Sequence, residues 1–564
     1  RLATNAGKKC GLARPRHPLS APVSTCASGS GKVRAVVTER GETPFERWSR
    51  RALAALGAGA LALVLVRAWN RPVLPFDCWS YHLPFASRLH GIGGGADSFV
   101  MATSFQVMFD AFPLGAEWLQ GLLWKATGTL RAVASVNALA LVALALYAAA
   151  SFRLPLAALV FGFLSVPMVL VHAPSGYIDL FVATAVALEG VAALRLLELA
   201  EREREPLRPA RRALDGAVFL GAAAAAGNAK YMGLGLALVV AAFLFAHAWS
   251  RRIRPRERRT LVALAAGAAL LASGTVVRNT IRFSNPIHPF PLSLLAVERA
   301  PRDLRAERAR EGLPPTVIVR WTDYPYNLGT LGRPLLFVLS ATELDWWIRG
   351  VEPRYSIDSN AGDKPRRFAP ARTGGWWGGY VVAQLALLGA EIRRRRRDGW
   401  SWREKLAVRL LAATGLVVAV APLSYLLRYW LFWPLLLAVT TTLLVCSRPA
   451  PRARLVLSAS LGACFLWSYF ALPSAADLRP LPVRRYDAEA MRARLDPALL
   501  AAIDAGERFC LDDKHYPMQF RYSAAVVGGS HAIEQVREYG KCRVYPRLDV
   551  AAPALRRGRP TAAD

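Results

Sequence analysis

The run Ala52-Leu53-Ala54-Ala55-Leu56-Gly57-Ala58-Gly59-Ala60-Leu61-Ala62-Leu63-Val64-Leu65-Val66 carries no charge. Shortly after it the chain reads Phe76-Asp77-Cys78-Trp79-Ser80-Tyr81-His82-Leu83-Pro84-Phe85. With its flanks the apolar run covers 51–69, long enough as a helix to cross about 30 Å of hydrocarbon. Comparable runs recur at 131–151, 154–173, 178–197, 213–228, 231–249, 261–278, 376–391, 405–424, 428–446 and 455–472. They predict an all-α polytopic membrane protein with about 11 transmembrane helices. The apolar stretch 213–249 is too long for one crossing, so Gly227-Asn228-Ala229-Lys230 is read as a turn within it.

Composition agrees. Of 564 residues, 54% are hydrophobic, more than a soluble chain of this length carries. The formal net charge is +32. On a membrane protein such an excess marks cytoplasmic loops and contact with anionic lipid. No nucleic-acid-binding module accompanies it, so nucleic acid is set aside as a partner. The seven cysteines show no metal-ligand spacing. Residues 1–50 are basic, with Gly, Pro and Ser in their first part, and read as a disordered cytoplasmic tail.

Arginine orients the spans. Arg47, Arg50 and Arg51 precede the first. Arg251, Arg252, Arg254, Arg256, Arg258 and Arg259 share one loop, Arg393 to Arg397 another, and Arg452 and Arg454 a third. An odd number of spans puts all of them, with the 201–212 loop, on the cytoplasmic side. The transmembrane domain then covers 51–472, with outer loops at 70–130 and 279–375. Residues 473–564 have soluble composition and are expected to form a small mixed extracytoplasmic domain. Cys510 and Cys542 are the only cysteines of that segment, and an oxidising compartment would join them as a disulfide. In the first outer loop, the mixed stretch from Glu117 to Lys125 reads as an interfacial helix lying flat.

Five segments bring ionisable groups to the outer face. Asp77, Tyr81 and His82 follow the first span. Asp179 opens the fourth, where the helix dipole alone would favour it. Lys230 sits in the turn Gly227-Asn228-Ala229-Lys230-Tyr231-Met232-Gly233, and a snorkelling lysine is the plainer reading of it taken alone. Arg278-Asn279-Thr280-Ile281-Arg282-Phe283-Ser284-Asn285-Pro286-Ile287-His288-Pro289-Phe290 leaves the seventh. Arg428-Tyr429-Trp430-Leu431-Phe432-Trp433-Pro434 opens the tenth, where the aromatic residues suit an interfacial belt. Asp97, Asp110 and Glu117 share the first outer loop and are weaker candidates. A carboxylate at a membrane surface suits a base, and guanidinium and ammonium groups suit a phosphate.

Asp77-x-x-x-Tyr81-His82-x-Pro84 resembles the first outer loop of GT-C fold membrane glycosyltransferases. The Lys230-Tyr231-x-Gly233, Arg278-Asn279…Asn285-Pro286 and Arg428-Tyr429 segments are similar to segments of the same superfamily, with Ser284 where a glycine is usual. That superfamily includes the polyprenyl-phosphate-sugar-dependent mannosyltransferases and aminoarabinose transferases. The resemblance spans about 75–450. It implies a bacterial inner-membrane glycosyltransferase whose lipid-linked sugar donor is handled on the periplasmic face. Asp77 would be the base, with Tyr81 and His82 shaping its surroundings. Lys230, Arg278, Arg282 and Arg428 would bind donor phosphate. Asp179 would orient the acceptor or help hold a divalent cation; no other cofactor is implied. Two other readings stay open. An O-antigen polymerase or ligase shares the long outer loop and basic residues but has no need of Asp77. A transporter would place its ionisable groups near the bilayer midplane, with internal repeats.

Overall fold

The computed structural model describes 43–70, 78–92, 103–201, 209–290, 329–342, 378–421, 424, 427–447, 451–471, 501, 509–510 and 543–544. Asp77, Asp97, Cys542 and residues 1–42 lie outside the described residues. The proposed Cys510–Cys542 pairing and most of the 473–564 segment lie outside them too.

Every apolar run of the sequence carries helix. The helices are α1 (Pro44–Asn70), α2 (Leu83–His90), α3 (Thr103–Ala111), α4 (Gly115–Thr127), α5 (Arg131–Phe152), α6 (Leu156–Leu164) and α7 (Pro167–His172). They continue with α8 (Asp179–Glu201), α9 (Pro209–Ala229), α10 (Tyr231–Ala248), α11 (Pro255–Ala272), α12 (Gly274–Phe283) and α13 (Gly329–Thr342). The last four are α14 (Gly378–Asp398), α15 (Trp402–Val420), α16 (Phe432–Cys446) and α17 (Pro451–Ala471). Strands β1 (Phe509–Cys510) and β2 (Arg543–Val544) pair in parallel. Among the described residues, α1, α5, α8, α10 and α17 are each long and apolar enough to cross a membrane. The pair α11 and α12, bent by 49°, makes a sixth if it is one span.

The centre of the bundle is α8. It is apolar on nearly all sides, and a helix of that kind is buried. Between Asp179 and Ala200 every residue but Leu188 is buried. Helices α5, α9, α10, α15 and α16 pack around it. The outer helices expose Leu56, Leu139, Leu146, Leu270, Trp467 and Phe470, side chains that suit acyl chains and not water.

Two runs break. The 154–173 run divides at Ser165-Val166, because Pro167 has no N–H to continue the ladder. The 261–278 run bends at Ser273. There the Oδ1 of Asn228 accepts from the Thr275 N–H at 3.0 Å, and its Nδ2 donates to the Leu271 carbonyl at 2.7 Å. Groups freed by the bend are thus satisfied from α9. Helix α13 lies inside the segment read as the outer loop 279–375. Pro334 within it obscures the helical pattern, yet Phe337 packs edge-on against Trp433 at 5.6 Å.

Ion pairs mark the far end of α8 from Asp179. Glu198 takes Arg195 at 2.8 Å and Arg403 at 3.2 Å, and Glu201 takes Arg252 at 2.5 Å. Arg395 pairs with Glu404 at 2.7 Å, and Tyr147 donates to Asp215 at 2.7 Å. The arginine-rich segments around 252 and 393–397 therefore gather at this end. From Asp179 to Glu198 the helix rises about 28 Å, one hydrocarbon thickness.

Glu189 lies about 15 Å along that rise, halfway. It is fully buried, and neither carboxylate oxygen has a hydrogen-bond partner among the described residues. An unpaired polar group there costs stability. Glu189→Met, close in volume and apolar, is expected to raise stability by about 1–3 kcal/mol. Thermal unfolding in detergent checks it; a lower Tm would show that the carboxyl is bonded or needed.

Candidate functional site

At the Asp179 end the polar side chains turn inward and meet. The turn between α9 and α10 forms because Lys230 is extended (φ −161°, ψ 142°), which ends one helix and starts the next. Its ammonium reaches Asp179 Oδ1 at 2.5 Å. The Asp179 side chain is 3% exposed and that of Lys230 26%. Lys230 Nζ also sits 4.3 Å from the centre of the Tyr429 ring. From the 3₁₀ turn Leu427–Trp430, the Arg428 guanidinium lies 4.9 Å from the Tyr429 ring centre and 5.9 Å from that of Tyr177. Arg428 Nη2 donates to the Tyr429 hydroxyl at 3.1 Å. The Arg428 guanidinium also acts on Asp179 through its charge, so two cations, Lys230 and Arg428, gather around this carboxylate.

The loop that presents Asp179 is held by amides. Asn137, buried in α5, directs its Nδ2 to the carbonyls of His172 at 3.2 Å, Ser175 at 2.8 Å and Tyr177. Gln120 of α4 donates to the Gly176 carbonyl at 2.8 Å. Both are buried.

Beside Lys230, Tyr231 starts a second cluster. Its hydroxyl accepts from Asn279 Nδ2 at 2.7 Å and faces the His288 carbonyl at 2.7 Å and that of Ala111 at 3.0 Å. Arg278 spends its guanidinium on Asn279 Oδ1 at 3.0 Å and the Phe112 carbonyl at 3.1 Å. It therefore ties α12 to the end of α3. Arg282, one turn on, is exposed and stacks on Phe283 at 5.5 Å.

The third cluster belongs to the first outer loop. A π-helical turn, Cys78–His82, leads into α2. There His82 Nδ1 meets Glu117 Oε1 at 2.7 Å, both side chains 3% exposed. The Tyr81 ring lies 4.2 Å from that of His82. Helix α4 carries Glu117 and Gln120 three residues apart, hence on one face. That face points into the protein, while Trp118 and Leu122 are exposed. The interfacial reading of α4 from its composition thus missed where its polar side turns. Gly115 lets α4 sit on the turn: a Cβ there would lie 2.8 Å from the Asn228 carbonyl oxygen. Gln106 joins Arg88 at 2.5 Å to Asp110 at 2.8 Å nearby.

So the fold brings Lys230, Arg428 and Asp179 into one cluster, Arg278 into a neighbouring one, and Tyr81 and His82 into a third linked through α4. Arg282 is not part of any of them. Among the described residues no three of His, Cys, Asp and Glu gather as a metal site. Sequence reasoning missed Asn137 and Gln120. A lone amide inside the apolar 131–151 run was the available signal for Asn137. Asn279 is buried with four bonded neighbours, so Asn279→Ala is expected to cost about 2–3 kcal/mol. Chemical unfolding in detergent measures it, and a loss below about 0.5 kcal/mol would remove this cluster as a fixed support.

No protein-family model matches the chain, and no curated protein matches it. Two solved structures are similar to it. One is ArnT from Cupriavidus metallidurans bound to undecaprenyl phosphate, 14% identical, covering 84% of this chain and 76% of that one, with a TM-score of 0.40. The other is the same protein in the apo state, 14% identical, covering 82% of this chain and 83% of that one, with a TM-score of 0.35.

Proposed function

We propose that this chain is an integral membrane glycosyltransferase of GT-C type in a bacterial inner membrane, transferring a sugar from a polyprenyl-phosphate donor on the periplasmic face. The observation that carries the reading is the meeting of Lys230, Arg428, Asp179 and two tyrosines at one end of the bundle, beside the segment that resembles the GT-C first outer loop. The arginine-rich segments gather at the opposite end, which supports a cytoplasmic placement of that end. The Asp179 end is then periplasmic, the N-terminus cytoplasmic and the 473–564 domain extracytoplasmic.

The chemistry follows from charge. An acceptor hydroxyl attacks the anomeric carbon as the bond from that carbon to the phosphate oxygen breaks, and the centre inverts. The acceptor proton goes to Asp77. The negative charge growing on the departing phosphate is met by Lys230 and Arg428, with Arg278 and Arg282 adding positive field. Asp179 holds Lys230 in place and shares it with the phosphate, so its first role is to position that ammonium.

Asp77→Asn keeps shape but cannot accept a proton, and is expected to lower turnover on the order of 10²–10⁴-fold with unchanged expression. Transfer of radiolabelled sugar from a polyprenyl-phosphate donor in vesicles is the measurement, and near wild-type turnover removes Asp77 from the mechanism.

Lys230→Ala would strand a buried Asp179 and cost on the order of 3 kcal/mol. Asp179→Asn combined with Lys230→Met removes that penalty. The double variant is expected to regain most of the thermal stability yet bind donor at least tenfold more weakly. Recovery of both would make the pair purely structural.

A further inference from the structure

We propose that Glu117 is a positioning residue for His82: its carboxylate accepts a hydrogen bond from Nδ1–H, fixes the ring, and leaves the lone pair on Nε2 to receive a proton. This deepens the transferase reading and rests on it for the catalytic consequence.

The argument starts from geometry. Nδ1 and Oε1 are 2.7 Å apart, and both residues are buried, His82 2% exposed and Glu117 2%. A carboxylate accepts and cannot donate, so the proton between them sits on the ring nitrogen. Neutral imidazole has one N–H, and placing it at Nδ1 puts the acceptor lone pair at Nε2. The ring of His90 is engaged at the other nitrogen: its Nε2 faces the Trp118 carbonyl at 2.8 Å.

The support for the carboxylate is rigid. Glu117 lies in the first turn of α4, whose amide Gln120 is pinned to the Gly176 carbonyl at 2.8 Å. At Gly121 a Cβ would collide with the Ala86 carbonyl and the His90 ring, so α4 and α2 are pressed together. The ring is held from the other side by Tyr81, and Tyr81 packs on Phe85 at 5.8 Å.

The second carboxylate oxygen, Glu117 Oε2, is also buried. His82 also stands five residues after Asp77 in the segment that carries the GT-C resemblance. A proton taken from an acceptor hydroxyl by Asp77 or directly by Nε2 then stays within one short stretch of chain.

Two measurements test it. Solid-state ¹⁵N NMR of histidine-labelled protein in bilayers reads the tautomer, with His82→Gln assigning the signal by difference. The expected result is an Nδ1–H ring in the wild type, and a shift of at least half the population to Nε2–H in Glu117→Gln. An Nε2–H ring in the wild type overturns the proposal without any variant having to fold. In the transfer assay Glu117→Gln is expected to lower kcat on the order of 10²–10⁴-fold, with donor KM within about threefold. A shifted tautomer at unchanged kcat overturns the positioning role. If the wild type transfers no sugar from any polyprenyl-phosphate donor, the transferase reading fails while the tautomer still decides the pairing.

Discussion

The ion pair between Lys230 and Asp179 is the contact on which the polar end of the bundle depends. It joins the start of the central helix α8 to the turn between α9 and α10, residues far apart in sequence. The buried carboxylate and the partly buried ammonium each lose their nearest opposite charge if the other is removed. Their meeting fixes the place of Tyr429 above the ammonium and of Tyr231 one residue on. From Tyr231 the constraint passes to Asn279 and Arg278, and through Ala111 and Phe112 to the first outer loop.

Some of the residues proposed for the chemistry also hold the fold together. Arg278 resembles a phosphate ligand by its motif, yet its guanidinium also closes the α3–α12 contact. Asn228 resembles a simple turn residue, yet its side chain bridges the bend between α11 and α12.

Polarity is distributed along α8 in a definite way. Charged pairs occupy both ends, and between them the helix is apolar but for Thr184 and Glu189. Thr184 satisfies its hydroxyl on the Leu180 carbonyl at 2.7 Å. Glu189 has no such local outlet, being too long to bond its own helix backbone as threonine does. One end gathers arginines paired with Glu198, Glu201 and Glu404, and the other gathers tyrosines and amides around Lys230 and Arg428.

The helical, membrane-spanning character was legible in the sequence, because backbone groups in hydrocarbon must bond internally and long apolar runs leave helix as the solution. The division of 213–249 near Lys230 was legible too, since that apolar stretch is too long for one crossing. Lys230, Arg428 and Asp179 could be named as candidates from charge placed where apolar runs end. Their partners could not. Asp179 sits 51 positions from Lys230, and nothing in local pattern says which acid meets which base. Helix α13 escaped notice because Pro334 breaks its periodicity while packing on Trp433 overrides the loss. Glu117 was a weaker candidate on a helix read as interfacial, and only tertiary packing turned it inward to His82. Sequence decided which segments are apolar helices and which residues carry charge, because those follow from local composition. Tertiary structure decided which charges pair, because a buried charge chooses its partner by distance in space.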